Sequence, residues 1–188
     1  MCFKKLTIFT VTFLALSSSG WPSQVYRIEP GWSQVEFEVK NLGFHTVDGN
    51  FKTFSGTISF DDTDVTKSSV TVTIQASSID TDVKKRDEHL RTKDFFDVEK
   101  FPEIVFRSES IVKKGDGYVM VGSLTMKGHT QTVELPFTFT SDKSADGKPA
   151  LHAEASGAVN RRDFGIDYGS NFSVGNQVKI RIHIQAIP

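Results

Sequence analysis

The chain has 188 residues, a formal net charge of −1, a single cysteine, and 16 phenylalanines against three tyrosines and two tryptophans. That charge excludes a duplex- or RNA-binding domain, which would cluster Lys and Arg on a strongly basic surface. The aromatic surface mostly lacks polar handles and suits a dry interior.

Lys4 and Lys5 precede an uncharged apolar run, LTIFTVTFLAL (6–16), and the small residues SSSG follow. This order predicts a secretory signal peptide over 1–20, cleaved near Gly20. The run is shorter than the about 20 apolar residues of a membrane span. No second long apolar run follows, so the mature chain is expected to be soluble. Cys2 lies before the run, so a mature domain over 21–188 has no thiol and no disulfide. Its stability must come from a core, for which about 165 residues suffice.

From Gln34 onward the hydrophobic period is two for most of the length. Val35, Phe37 and Val39 alternate with Gln34, Glu36 and Glu38. Phe54, Gly56, Ile58 and Phe60 obey the same rule, as do Val70, Val72, Ile74 and Ala76. Ile104, Phe106 and Ser108 form a shorter run. Tyr118, Met120, Gly122, Leu124 and Met126 line one face, and Val133, Leu135, Phe137 and Phe139 the next. Leu151, Ala153, Ala155, Gly157 and Val159 follow, and Val178, Ile180, Ile182 and Ile184 end the series. DDTD (61–64), KKGDG (113–117), KGHT (127–130) and SDKSADGKP (141–149) are turn chemistry between the runs. Short strands at this spacing predict one antiparallel all-β domain, a sandwich or a barrel.

One segment breaks the period: RDEHLRTKDFFDVEKFP, residues 86–102. Residues 82–93 predict a marginal helix, with Asp82 as N-cap and Arg91 and Lys93 suiting the C-terminal dipole. Val83 and Leu90 lie seven apart on one face, and Pro102 closes the segment. Asp87 with Arg86 or Arg91 is expected to form an ion pair or a turn clamp.

Gly56, Ala76, Gly122, Ala153, Ala155 and Gly157 all fall on apolar faces. Either large residues opposite fill the space they leave, or they leave an apolar tube. In the second reading the tube holds something, because an empty apolar cavity is costly. Burying a methylene yields about 0.8 kcal/mol, and association costs roughly 4–15 kcal/mol. A long lipid of some 20 or more carbons meets that on the same ~0.8 kcal/mol scale.

Catalytic and metal chemistry find little support. The five histidines show no HExxH spacing, and no GxSxG elbow is present. DKSADG (142–147) imitates the start of a calcium loop, but Ala153 stands where the bidentate glutamate belongs. A non-enzymatic protein with no metal is expected.

Five stretches together resemble the YceI-like family, secreted bacterial proteins with a lipocalin-like barrel. They are SQVEFEVKNLGF (33–44), VDGNFKTFSGTISFD (47–61), SSIDTDVKKRDEHLRTKDFFDVEKFPEIVFRS (77–108), VGSLTMKGHTQTVELPF (121–137) and VNRRDFGI (159–166). The resemblance implies an all-β fold: one antiparallel eight-stranded lipocalin-like barrel with a short helical insert at about 82–100. It implies a long-chain isoprenoid or related lipid held inside for transport or storage, no cofactor, a periplasmic setting, and a homodimer as a common assembly. A departure stands at Asn41, where the family often has histidine; His45 follows four residues on.

The lipid-binding wall is expected from Val35, Phe37, Val39, Phe54, Ile58, Phe106, Leu124, Met126, Phe137 and Ala155. Val83, Leu90, Phe95 and Phe96 of the insert would face the mouth, with the two phenylalanines closing it as a lid or a plug. Arg161 and Asn41 are the candidates for head-group contact, although Arg161 also suits a purely structural role in its loop. A fatty acid or fatty amide carrier is the alternative, as is a filled barrel acting through protein contacts in a stress response.

Overall fold

A computed structural model describes residues 23–143, 147 and 149–188. The expected signal peptide (1–20) and Cys2 lie outside the described residues, as do residues 144–146 and 148.

The alternating runs form strands, in the order β1 (Gln24–Ile28), β2 (Gln34–Asn41), β3 (His45–Phe51), β4 (Phe54–Phe60), β5 (Ser69–Gln75) and β6 (Ile79–Asp80). The helix α1 (Lys84–Arg91) follows, then β7 (Glu103–Lys114), β8 (Gly117–Met126), β9 (His129–Lys143), β10 (Pro149–Asn160) and β11 (Val174–Ile187). Neighbours run β1-β4-β5-β7-β8-β9-β10-β11, and β1 pairs back onto β11, which closes an eight-stranded antiparallel barrel. β2 pairs with β11 beyond β1, β3 pairs with β2, and β6 pairs with β3.

Eleven segments make eight strands because three strands are bent. β1 and β2 are halves of one strand kinked at Glu29–Ser33, where Pro30 opens a 3-10 turn. β3 and β4 bend at Lys52–Thr53, and β5 and β6 bend at Ala76–Ser78. Each bend removes ladder bonds, and local bonds replace them. Ser33 is buried. Its hydroxyl donates to Gln185 O (3.2 Å) and accepts from Gln185 N (3.0 Å). The second and third bends bond each other, Lys52 N to Ser78 O (3.1 Å) and Gln75 N to Thr53 O (2.9 Å). Ala76 therefore sits in a bend rather than on the inward face of β5.

β1, β3 and β6 have no clear period-two signal. β3 reads HTVDGNF, with residues that strands disfavour, and it forms because β2 pairs along it from Asn41–His45 to Glu36–Asn50. In β7 a bulge between Ser108 and Ser110 shifts the register, so Ile111 continues the inward face begun by Ile104 and Phe106. The β8–β9 hairpin turns on Lys127 (φ +50°) and Gly128 (φ +78°), both left-handed, as a two-residue turn between twisted strands requires.

Aromatic rings cluster toward both ends of the interior. Phe37, Phe51 and Phe96 meet at 5.7 and 5.9 Å between centroids. Tyr26, Phe60, Phe139, Tyr118 and Phe137 form a second chain at 5.4–6.1 Å. Glycines seat some of these rings. A Cβ on Gly49 would lie 2.4 Å from the Phe37 ring, and one on Gly122 would lie 2.6 Å from the Phe106 ring and 2.4 Å from Arg107 O. Gly56 is filled by Ile28 and Gly157 by Leu135 in the same way. These three inward glycines, Gly56, Gly122 and Gly157, thus belong to interdigitated packing and open no space.

Between β4 and β5, Asp61 accepts from Thr63 and from Asp64 N, and Asp64 accepts from Thr66. The Thr63 hydroxyl chiefly holds the Asp61 carboxyl below its ordinary pKa, and the Thr66 hydroxyl does the same for Asp64. Carboxyls depressed on folding stabilise the native state above their unfolded pKa, about 4, and this is lost as pH falls through the folded values. The unfolding midpoint is therefore expected to drop as pH goes below about 4, and less steeply in an Asp61→Ala/Asp64→Ala double variant; chemical denaturation across pH 2–6 measures this. Gly122→Ala is expected to destabilise by about 1–3 kcal/mol, read from the urea midpoint.

Candidate functional site

The barrel encloses a cavity of about 260 Å³. That is room for some twenty waters at roughly 10–15 Å³ each by the same measure, and a methylene is close to a water in size. Val35, Phe37, Val39, Ile58, Phe106, Leu124, Met126, Phe137 and Ala155 line it, together with Phe95 and Phe96 from the insert. Phe54 is buried in the core but does not reach the cavity wall. Asn41 is also off the wall: it ends β2, paired with His45 and Val174. Among the small residues, Ala153 and Ala155 stand on the wall with short inward side chains.

Wall residues missed by sequence reasoning include Phe51, Ile79, Ile104, Ile111 and Ile166. Ile104 carried a strand signal. Phe51 and Ile79 sit on strands with no alternation, and Ile166 on a loop. The polar lining residues are Glu36, Ser68 and Arg161. Glu36 directs its carboxylate to Arg181, and the Ser68 hydroxyl accepts from Asp61 N. The wall is otherwise apolar, suited to hydrocarbon and unsuited to a small polar metabolite.

The insert closes one end. α1 begins at Lys84 behind Val83, whose position lacks a side-chain cap, while Asp82 takes a left-handed backbone (φ +60°). Asp82 is thus a turn residue and not the helix cap. The carboxylate that holds the helix start is that of Asp87, which is buried and accepts from Thr81 N (3.0 Å) and the Thr81 hydroxyl. Arg86 donates to Thr81 Oγ1 (2.7 Å) and Thr81 O (2.8 Å). Arg91 donates to Ser77 O and Ile79 O, both at 2.7 Å. Asp87 is a turn clamp, as one of the two expectations had it, with no ion pair among the described residues. The charged RDEHL segment fastens the lid to β6, so that Leu90, Phe95 and Phe96 face the cavity. Val83 faces outward and is exposed, against the expectation that it covers the mouth.

The loop 161–173 completes that end. Arg161, only 3 % exposed, donates to Gly175 O (3.0 Å), Val174 O (2.9 Å) and Ile166 O. Burial, with Arg162 nearby, pulls its pKa below the ordinary guanidinium value, and Asp167 partly opposes this. Phe164 is fully buried beneath the loop. Lys127 Nζ ties loop to lid, donating to Gly165 O (2.9 Å) and Lys93 O (3.1 Å). Among the described residues no group of three or more His, Cys, Asp or Glu side chains could hold a metal ion, and no helix is long and apolar enough to cross a membrane.

A closed antiparallel barrel of eight strands, lidded by a short helix and hollow along an apolar core, is lipocalin-like. The YceI-like domain model matches residues 26–186, and the chain belongs to that family. A UPF0312 protein of Photorhabdus laumondii (plu2095) is 37 % identical over 164 residues, covering 86 % of this chain and 85 % of its own. One from Yersinia pestis is 38 % identical over 133 residues, covering 70 % and 69 %. The crystal structure of Burkholderia cenocepacia BcnA superposes with a TM-score of 0.76 at 26 % identity, over 84 % of this chain and 98 % of that one. A polyisoprenoid binding domain from Saccharophagus degradans shares the fold at 12 % identity, with a TM-score of 0.64 over 86 % of this chain and 97 % of its own.

Arg161→Ala would leave three carbonyls without their donor and is expected to cost about 2–4 kcal/mol. Urea denaturation gives the stability, and faster amide exchange confined to 161–176 would locate the loss.

Proposed function

We propose that the protein carries or stores a long-chain isoprenoid or related lipid in the periplasm, with the chain lying in the barrel. The observation that carries this reading is the enclosed apolar cavity. At about 24 cal/mol per Å³, leaving 260 Å³ empty would cost about 6 kcal/mol, comparable with the whole stability of a typical domain, about 5–15 kcal/mol. A hydrocarbon chain removes that cost and gains about 0.8 kcal/mol for each methylene taken from water. The Saccharophagus domain, described as polyisoprenoid binding, supports the ligand class through its shared fold.

The head group belongs at the lid end in this reading. Arg161 has five N–H donors, of which three are bonded to carbonyls. Among the described residues it is the one cationic side chain lining the cavity.

Native mass spectrometry of the protein purified from a bacterial periplasm, with organic extraction of the same sample, is expected to reveal a discrete added mass of polyprenyl type. A fatty acid or fatty amide mass would move the reading to that class. Ala155→Trp, which adds an indole to the wall opposite Phe137 and Ile182, is expected to fold and to lose the bound mass. An empty wild-type barrel that also ignores added isoprenoids and fatty acids would overturn the carrier reading.

A further inference from the structure

The lid end carries an apolar rim that the barrel does not use. Among the described residues eight large apolar side chains are exposed, and Leu42, Phe44, Tyr168 and Phe172 lie at this end. Phe44 (71 %) and Phe172 (65 %) are among the most exposed side chains of their kind. They are not scattered singly, as harmless surface apolars are. The ring of Phe172 packs on Gly43, within 3.0 Å of where a Cβ would stand, and Leu42 N donates to Ser173 O at 3.4 Å. The tip of the β2–β3 hairpin and the 168–173 loop therefore present one surface.

That surface is built with some strain. Leu42 has φ +49° and Gly43 φ +75°; leucine rarely adopts left-handed backbone, and a strained apolar residue at an exposed tip points to use. The rim is also continuous with the lid. Tyr168 packs on Phe95 (5.1 Å) and His89 (4.9 Å), and Phe95 lines the cavity.

Charge favours the same direction. The segments that make the lid end, 40–46, 82–101, 127–129 and 160–174, hold ten Lys and Arg against eight Asp and Glu, in a chain that has 22 and 23 in all. This end is positive while the remainder is negative. Lys40 flanks the hairpin tip, with its amine on Thr46 Oγ1 at 2.7 Å, and Lys84 and Lys85 open α1. Exposed aromatic and leucine side chains rimmed by lysines suit the interface of a bilayer containing anionic phospholipid, where rings seat among the head groups and lysines meet phosphates.

Resting on the lipid-carrier reading, we infer that Leu42, Phe44, Tyr168 and Phe172 dock the lid end of the barrel onto an anionic membrane surface. Docking there sets the lid against the bilayer, so a lipid chain passes between membrane and cavity without crossing water.

The test is flotation of the protein with vesicles of phosphatidylethanolamine and phosphatidylglycerol at three to one. The wild type is expected to float with the vesicles, and less so as salt is raised. Phe44→Ser/Phe172→Ser is expected to weaken partitioning at least about thirtyfold, with melting temperature and bound lipid mass unchanged, since neither ring lines the cavity. Equal flotation of the double variant would overturn the inference. So would a wild type that ignores the vesicles, and a loss of self-association by the double variant would then reassign the rim to pairing of two copies. Native mass spectra of the same samples keep the two readings apart. Vesicle binding by a barrel that is empty and ignores added isoprenoids and fatty acids sinks the carrier reading alone, and a loaded barrel that does not bind vesicles sinks the docking alone.

Discussion

Closure of the sheet between β1 and β11 is the constraint on which the rest of this molecule depends. It is made by few pairs, Arg27 with Ile187 and Ile28 with Ala186, because β11 gives the rest of its length to β2. The switch from one partner to the other occurs at the bend carrying Pro30 and Ser33. There the Ser33 hydroxyl both donates to and accepts from the backbone of Gln185, standing in for missing ladder bonds. A ring of eight strands has its diameter fixed by strand number and stagger, and the interior is then just wide enough to be filled by side chains or to hold one ligand.

Which of the two occurs is decided position by position. At Gly49 and Gly122 the rings of Phe37 and Phe106 occupy the space a Cβ would take, and Leu135 does so at Gly157. These contacts give the wall its density. Ala153 and Ala155, paired with Phe139 and Phe137 of β9, face the cavity with short side chains. Filled and hollow interiors are thus not exclusive: the glycines pack the wall and the alanines help keep the lumen.

The polar residues that stand out in the chain act as fasteners. Asp87, Arg86 and Arg91 bond Thr81 and the carbonyls of Ser77 and Ile79. Arg161 and Arg162 hold the opposing loop through carbonyls, Asn176 and Asp167. Buried donors and acceptors of this kind must be matched, since an unmatched one costs about 1–3 kcal/mol. The matching fixes the orientation of the segments that carry Leu90, Phe95, Phe96 and Ile166. A precise polar frame at one end therefore holds an apolar surface over the cavity, and the same frame carries the outward rim of Phe44 and Phe172.

The sequence by itself determined the period-two strands from Val35 to Ile184, their antiparallel order through short turns, and the inward side of each run. Alternation is a local property, and it names one face wherever a strand is half buried. It therefore reached Val35, Phe37, Ile58, Phe106, Leu124, Phe137 and Ala155, while likeness to the family supplied the number of strands and the closed ring. Tertiary structure alone decided the three bends, the bulge in β7 and the pairing of HTVDGNF as β3, because each depends on a partner strand far away in the chain. It also decided that Phe54 and Asn41 stand off the cavity, that Asp87 rather than Asp82 anchors the helix start, and that Val83 faces outward. Those outcomes rest on register, closure and the direction in which a short helix leans, and no residue's neighbours in sequence carry that information.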